Sequence, residues 1–141
     1  MTAPLKIAVA GLGVVGAETV RLIAAQAEML AQRGGRPIVV TAVSARDRSK
    51  DRGLDLGSIA WFDDSVAMAR EANADVICEL IGGSEGIAKD ACETAIAAGR
   101  HVVTANKALI AMHGAGLGRA AETAGVTLAY EVAVAGGIPI V

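Results

Sequence analysis

Residues 5–16 read LKIAVAGLGVVG, a short apolar run that ends on three glycines, Gly11, Gly13 and Gly16. Leu5 to Ala10 has the length and continuity of a buried strand, and helical spacing begins only after it. The glycines stand in G-x-G-x-x-G spacing, a weak signal alone because glycine triples arise by chance. Context gives it weight: the triple leaves a predicted strand and opens a predicted helix. There, Gly11 permits the tight turn, Gly13 lets a pyrophosphate approach the backbone, and Gly16 lets helix and sheet pack closely. The amides of Val14 and Val15 then face the phosphates at the positive end of the helix. The plainer alternative is a glycine turn with no ligand.

Outward from this turn, strands and helices alternate. One helix is expected from Val14 to Arg33, with Val15, Leu22, Ile23 and Leu30 at helical spacing and Gly34 and Gly35 as its stop. Pro37 to Ser44 is a second strand, residues 45–60 a polar loop, and Trp61 and Phe62 a short strand-like piece. Asp63 and Asp64 suit a helix start, and the helix runs from Ser65 to Asn73. Further strands are expected at Asp75–Ile81, His101–Thr104 and Val126–Glu131. Between them lie a helix from Glu85 to Ala98 and helical segments from Asn106 to Thr123, interrupted by Gly114, Gly116 and Gly118. Such alternation predicts an α/β chain of the Rossmann type: a doubly wound, mostly parallel sheet with helices on both faces. Residues 1–141 form one domain, and ligands belong at the carboxyl ends of its strands. Those ends are Gly11–Gly16, Ser44–Lys50, Ile81–Ser84, Thr104–Lys107 and Glu131 onward.

Composition agrees with a packed core. Hydrophobic residues make up 53% and aromatic ones 2%, so Val, Ile, Leu and Ala must fill it, as suits strands buried on both faces. A net charge of −2 gives no reason to expect nucleic acid or an anionic membrane as partner. No apolar stretch is long enough for a membrane span, and MTAPLK runs straight into a strand, so a cytoplasmic protein is expected. Cys78 and Cys92 are too far apart for a CxxC motif and read as reduced, buried thiols. His101 and His113 have no partner cluster and read as structural.

The end of the second strand bears on which dinucleotide is held. An NAD site usually carries an acidic residue there, bonded to the ribose 2′-hydroxyl. Here the stretch is SARDRSK, residues 44–50, where Arg46 and Lys50 suit a 2′-phosphate. NADP is therefore expected, with NAD possible because Asp47 lies in the same loop. The competing reading is a solvated loop in which Asp47 and Asp51 balance Arg46, Arg48 and Lys50.

Three stretches taken together resemble homoserine dehydrogenases: GLGVVG, ELIGG followed by HVVTANKALIA, and YEVAVAGGIPIV. The resemblance runs in order over essentially the whole chain, and the last two stretches are more specific than the glycine turn. It implies NAD(P)H-dependent, reversible reduction of aspartate 4-semialdehyde to homoserine, on the route to threonine, isoleucine and methionine. It also implies that Lys107 lies near the nicotinamide and substrate, and that Ser84 and Thr104 line the cofactor. Glu131, Val134, Gly136 and Ile138 match a monovalent-cation site, where a glutamate and backbone carbonyls hold sodium. Oxygen ligands suit such a hard cation.

The same resemblance implies a homodimeric enzyme whose substrate and dimerisation domain, with the catalytic groups, lies outside these residues. The chain then corresponds to the nucleotide domain of a longer protein, expected to bind cofactor with little turnover. Two other readings compete with it. A free-standing dinucleotide sensor leaves Lys107 and the GGIPIV ending without a task. A different Rossmann dehydrogenase does not account for ELIGG, TANKALIA and AVAGGIP.

Overall fold

The structure is a computed structural model and describes residues 2–131. Strands β1 (Leu5–Ala10), β2 (Ile38–Ser44), β3 (Ala60–Phe62), β4 (Val76–Glu79), β5 (His101–Thr104) and β6 (Leu128–Ala129) make one sheet. Its order is β3-β2-β1-β4-β5-β6, and all five neighbouring pairs are parallel. This is the doubly wound order of dinucleotide-binding folds. The helices are α1 (Val14–Ala25), α2 (Ala27–Gly34), α3 (Ser65–Glu71), α4 (Ile87–Ala97) and α5 (Lys107–Ala124). None of the described helices is long and apolar enough to cross a membrane.

Handedness assigns the helices to faces. From β1 to β2 the chain moves one way across the sheet, and from β3 onward it moves the other way. Right-handed crossovers in opposite directions place their helices on opposite faces. Side-chain alternation along the strands then builds two cores. Ile7, Val9 and Val43 pack with Leu12, Val20 and Ile23 on the α1 face. Ala8, Ala10, Ala42, Ile77 and Val102 pack with Met68, Ala91, Ala95, Leu109 and Leu117 on the α3–α5 face. The direction of travel reverses between β1 and β4, so a crevice opens at their carboxyl ends.

Two helical expectations change. The single helix expected over Val14–Arg33 is two, because Gln26 leaves helical geometry at φ −113°, ψ 25°. Only the first part has a stripe to bury, through Gly16 and Val20, whereas α2 buries no residue. In the opposite sense, Gly114, Gly116 and Gly118 do not interrupt α5, an unbroken helix of 18 residues. Each glycine costs about 1 kcal/mol relative to alanine. Burial of Leu109 and Leu117, about 1.5–3 kcal/mol each, offsets that. The last strand is also shorter than Val126–Glu131, because the Val126 amide donates to Ala121 O in closing α5.

Cys78 and Cys92 are both buried and unbonded to each other. Burial pushes their thiols up from the ordinary 9.0, to about 11 for Cys78 and about 12 for Cys92. Stability gained by keeping them neutral is intact below pH 9 and declines as pH rises through 11 and 12. At pH 8, Ellman's reagent is expected to titrate neither thiol until denaturant is added; rapid titration of the native chain would contradict this burial.

Candidate functional site

The glycine turn is built as its spacing requires. Gly11 has φ +94°, a left-handed conformation, and its amide donates to Ser44 O at 2.9 Å. A Cβ on it would stand 3.0 Å from Leu80 O and 3.2 Å from Ile81 Cα, so the β4–α4 loop rests directly on the turn. At Gly16 a Cβ would fall 1.8 Å from Gly11 O, which makes glycine obligatory there on steric grounds. At Gly13 a Cβ would meet no heavy atom within 4 Å. No protein neighbour explains that glycine; the open space in front of it does.

Helix α1 begins at this point without a side-chain cap and with no acidic residue in its first turn. By contrast, Asp64 caps α3 through the Val66 amide and Asn106 caps α5 through the Leu109 amide. The positive end of α1, including the amides of Val14 and Val15, is thus left to an anion. Val14 is 90% exposed and Val15 57% exposed.

A cleft of about 820 Å³ opens beside the turn, within the usual range for ligand sites. Gly11, Leu12 and Gly13 form one wall, Leu80 to Gly82 with Glu85, Ile87 and Ala88 another, and Ser44 to Asp47 with Asp63 to Ser65 a third. Arg46, Lys50 and Arg52 supply positive charge along it. The carboxylates that balance this loop in the competing reading are engaged locally. Asp47 accepts from the amide and hydroxyl of Ser49 at 2.9 and 2.6 Å, which hold its carboxyl below the usual range, and Asp51 accepts from the Gly53 amide. Among the described residues, Arg46 and Lys50 enter no ion pair.

Arg52 escaped the sequence reading. Its Nε donates to Leu12 O at 3.0 Å, and its guanidinium lies 5.5 Å from the centre of the Trp61 ring. It therefore straps the basic loop onto the glycine turn. Ser44 and Ser65, both buried, meet at 2.7 Å between hydroxyls and tie the end of β2 to α3. Asp63 is engaged by the Trp61 indole N–H rather than at the helix start, where only Asp64 caps.

At the far side of the crevice the expected residues separate. Ser84 is half-buried in the β4–α4 loop, outside the cleft wall. Lys107 is exposed at the first position of α5 and also stands off the wall. Thr104 ends β5, and its side chain is buried at 1% exposure. Its hydroxyl lies 2.6 Å from Glu79 Oε2 and accepts from the Asn106 amide. Glu85, on the wall, pairs with His113, which holds its carboxyl below the usual range. His101 Nδ1 accepts from the Thr127 amide at 3.0 Å. Glu131 is exposed, and Val134, Gly136 and Ile138 lie outside the described residues.

Comparison with known proteins gives a consistent result. The family model described as "Homoserine dehydrogenase, NAD binding domain" matches residues 11–131. Homoserine dehydrogenase of Pseudomonas aeruginosa is 42% identical over 98% of this chain, and that of Corynebacterium glutamicum 42% over 96%. The solved homoserine dehydrogenase of Thiobacillus denitrificans superposes with a TM-score of 0.85 at 38% identity, over 98% of this chain. The chain spans 31%, 30% and 32% of the lengths of these three proteins.

Proposed function

The chain belongs to the homoserine dehydrogenase family as its NAD-binding domain, and from that premise we propose that it holds NADP(H) for an enzyme interconverting aspartate 4-semialdehyde and homoserine. The observation that carries the cofactor reading is the open space at Gly13 beside an uncapped α1. A pyrophosphate can reach the first-turn amides there: α3 and α5 are capped by their own side chains, and α4, which also lacks a side-chain cap, carries Asp90 in its first turn, whereas α1 has no acidic residue there.

The adenosine half then extends toward β2, where Arg46 and Lys50 face a 2′-phosphate and Arg52 holds their loop against the turn. NADP is the preferred form because the carboxylates of this loop bond within it, and NAD binds more weakly for want of the phosphate. The nicotinamide half extends toward the ends of β4 and β5. When bound, the reduced ring supplies a hydride to the aldehyde carbon.

Around it, this chain orients and shields. Ile81 and Gly82 border the crevice, and Lys107, at the first position of α5, offers a cation to an anionic substrate or to the oxygen that gains charge. The groups that grip substrate and transfer its proton are assigned to the part of the full-length enzyme beyond this domain. A sodium ion held by Glu131 and the carbonyls of Val134, Gly136 and Ile138, a homodimeric assembly and a cytoplasmic location complete the proposal.

Titration of the chain with NADPH and NADH tests the cofactor assignment. Arg46→Asp is expected to weaken NADPH by roughly ten- to a hundredfold, the worth of one or two bonds between charged groups. NADH should change by less than about twofold, because the phosphate is the feature Arg46 recognises. If both cofactors keep their affinity, the basic loop has no part in choosing between them.

A further inference from the structure

Five buried polar residues, Ser44, Ser65, Glu79, Thr104 and Asn106, gather at the carboxyl edge of the sheet. Glu79 alone among them is ionisable, and it is fully buried at the end of a strand whose other residues, Val76, Ile77 and Cys78, are apolar. A carboxylate tolerates such a place only when its oxygens are fully engaged. Glu79 meets that condition. Oε1 accepts from the amides of Ile81 and Gly82 at 2.7 and 3.1 Å, and Oε2 lies 2.6 Å from the Thr104 hydroxyl.

Proton directions follow from the partners. The Thr104 hydroxyl oxygen accepts the Asn106 amide at 3.0 Å, so its own proton points to Glu79. Asn106 closes the ring by donating from Nδ2 to Gly83 O at 2.6 Å, while its Oδ1 caps α5 immediately before Lys107. One carboxylate thereby joins the β4–α4 loop, which rests on Gly11 and walls the cleft, to the start of the helix that carries Lys107.

We propose that Glu79 is a positioning residue for the nicotinamide half of the dinucleotide, setting the Ile81–Gly83 loop and the Asn106–Lys107 helix start in one fixed relation. The proposal rests on the dinucleotide reading above. Its chemistry requires an acceptor at both oxygens. A glutamine can satisfy the two amides with its oxygen, but its NH₂ then faces Thr104 and displaces the hydroxyl proton, which has no other acceptor in the ring. The loop keeps its shape in part and loses its charge-assisted anchor.

The test separates positioning from general stability by using two ligands. Adenosine 2′,5′-bisphosphate occupies only the β2 side of the cleft, and NADPH both sides. Glu79→Gln is expected to weaken NADPH by about tenfold, the value of one bond to a charged group, and to leave the bisphosphate within about twofold. Thr104→Val, which keeps the shape and removes the hydroxyl, is expected to shift the same ratio in the same direction by about three- to fivefold, and it stands in if Glu79→Gln does not fold. Equal losses for both ligands would make the network a general support and overturn the proposal. Unchanged NADPH binding in the folded variants would overturn it as well. If the unaltered chain binds neither ligand, the dinucleotide reading fails first, and that failure is visible without any variant.

Discussion

Gly13→Val is expected to leave a folded chain that no longer binds a nicotinamide dinucleotide. The backbone at Gly13, φ −74° and ψ −158°, is open to any residue, and its Cβ position has no neighbour within 4 Å. Valine caps a helix less well than glycine, a cost of about 1 kcal/mol or less. The reduced freedom of the unfolded chain returns about 0.4–1 kcal/mol. Thermal unfolding should therefore stay within a few degrees of the original. Binding has no such compensation. An isopropyl group on the cleft wall stands where the pyrophosphate must meet the first-turn amides, so two bonds to a charged ligand are lost. At about 1.5–3 kcal/mol each, that is a hundredfold weakening or more. Calorimetric titration with NADPH reads it directly; an affinity equal to that of the unaltered chain would remove the glycine turn from the site.

The features legible in the sequence are those whose causes lie close together in it. The strand–turn–helix around Gly11 is encoded within a dozen residues, as are the Asp64 cap and the stop at Gly35. The faces of the sheet follow from the right-handed crossover once the strand order is known. Features that depend on distant partners were hidden. Arg52 reads as one more charge in a polar loop, because its acceptor on Leu12 lies 40 residues earlier. Glu79 reads as the end of a strand, since the Thr104 hydroxyl that engages it is 25 residues away. For the same reason the sequence does not show that the Thr104 hydroxyl is turned inward by that bond. The glycines of α5 show the converse: a local preference against helix gives way to burial of Leu109, Leu117 and Ala121 against the sheet.

Gly16 stands three residues from Gly13 in the same motif, yet its replacement is expected to fail in a different way. Here the reason for glycine is space rather than conformation, because the residue lies within α1. A methyl group would overlap Gly11 O at 1.8 Å, and Gly11 cannot retreat because its other side rests on Leu80 O and Ile81 Cα. Relief therefore requires α1 to move off the sheet, which opens the contacts of Val20 and Ile23 with Val9 and Val43. Overpacking of a well-filled core costs about 1–3 kcal/mol, and a clash between two backbones belongs at or above the top of that range. For a chain of this size Gly16→Ala should lower Tm by about 10 °C or more, measured by circular dichroism without any ligand. Saturating NADPH should restore part of the loss if the turn can still be drawn closed, since a ligand selective for the native state stabilises it by mass action. The two variants thus divide the motif between its two tasks: Gly13→Val removes the response of Tm to NADPH while sparing Tm itself, and Gly16→Ala lowers Tm before any ligand is added. A Gly16→Ala chain as stable as the original would mean that α1 does not lie against the glycine turn as described, and the geometry on which the cofactor reading depends would fail with it.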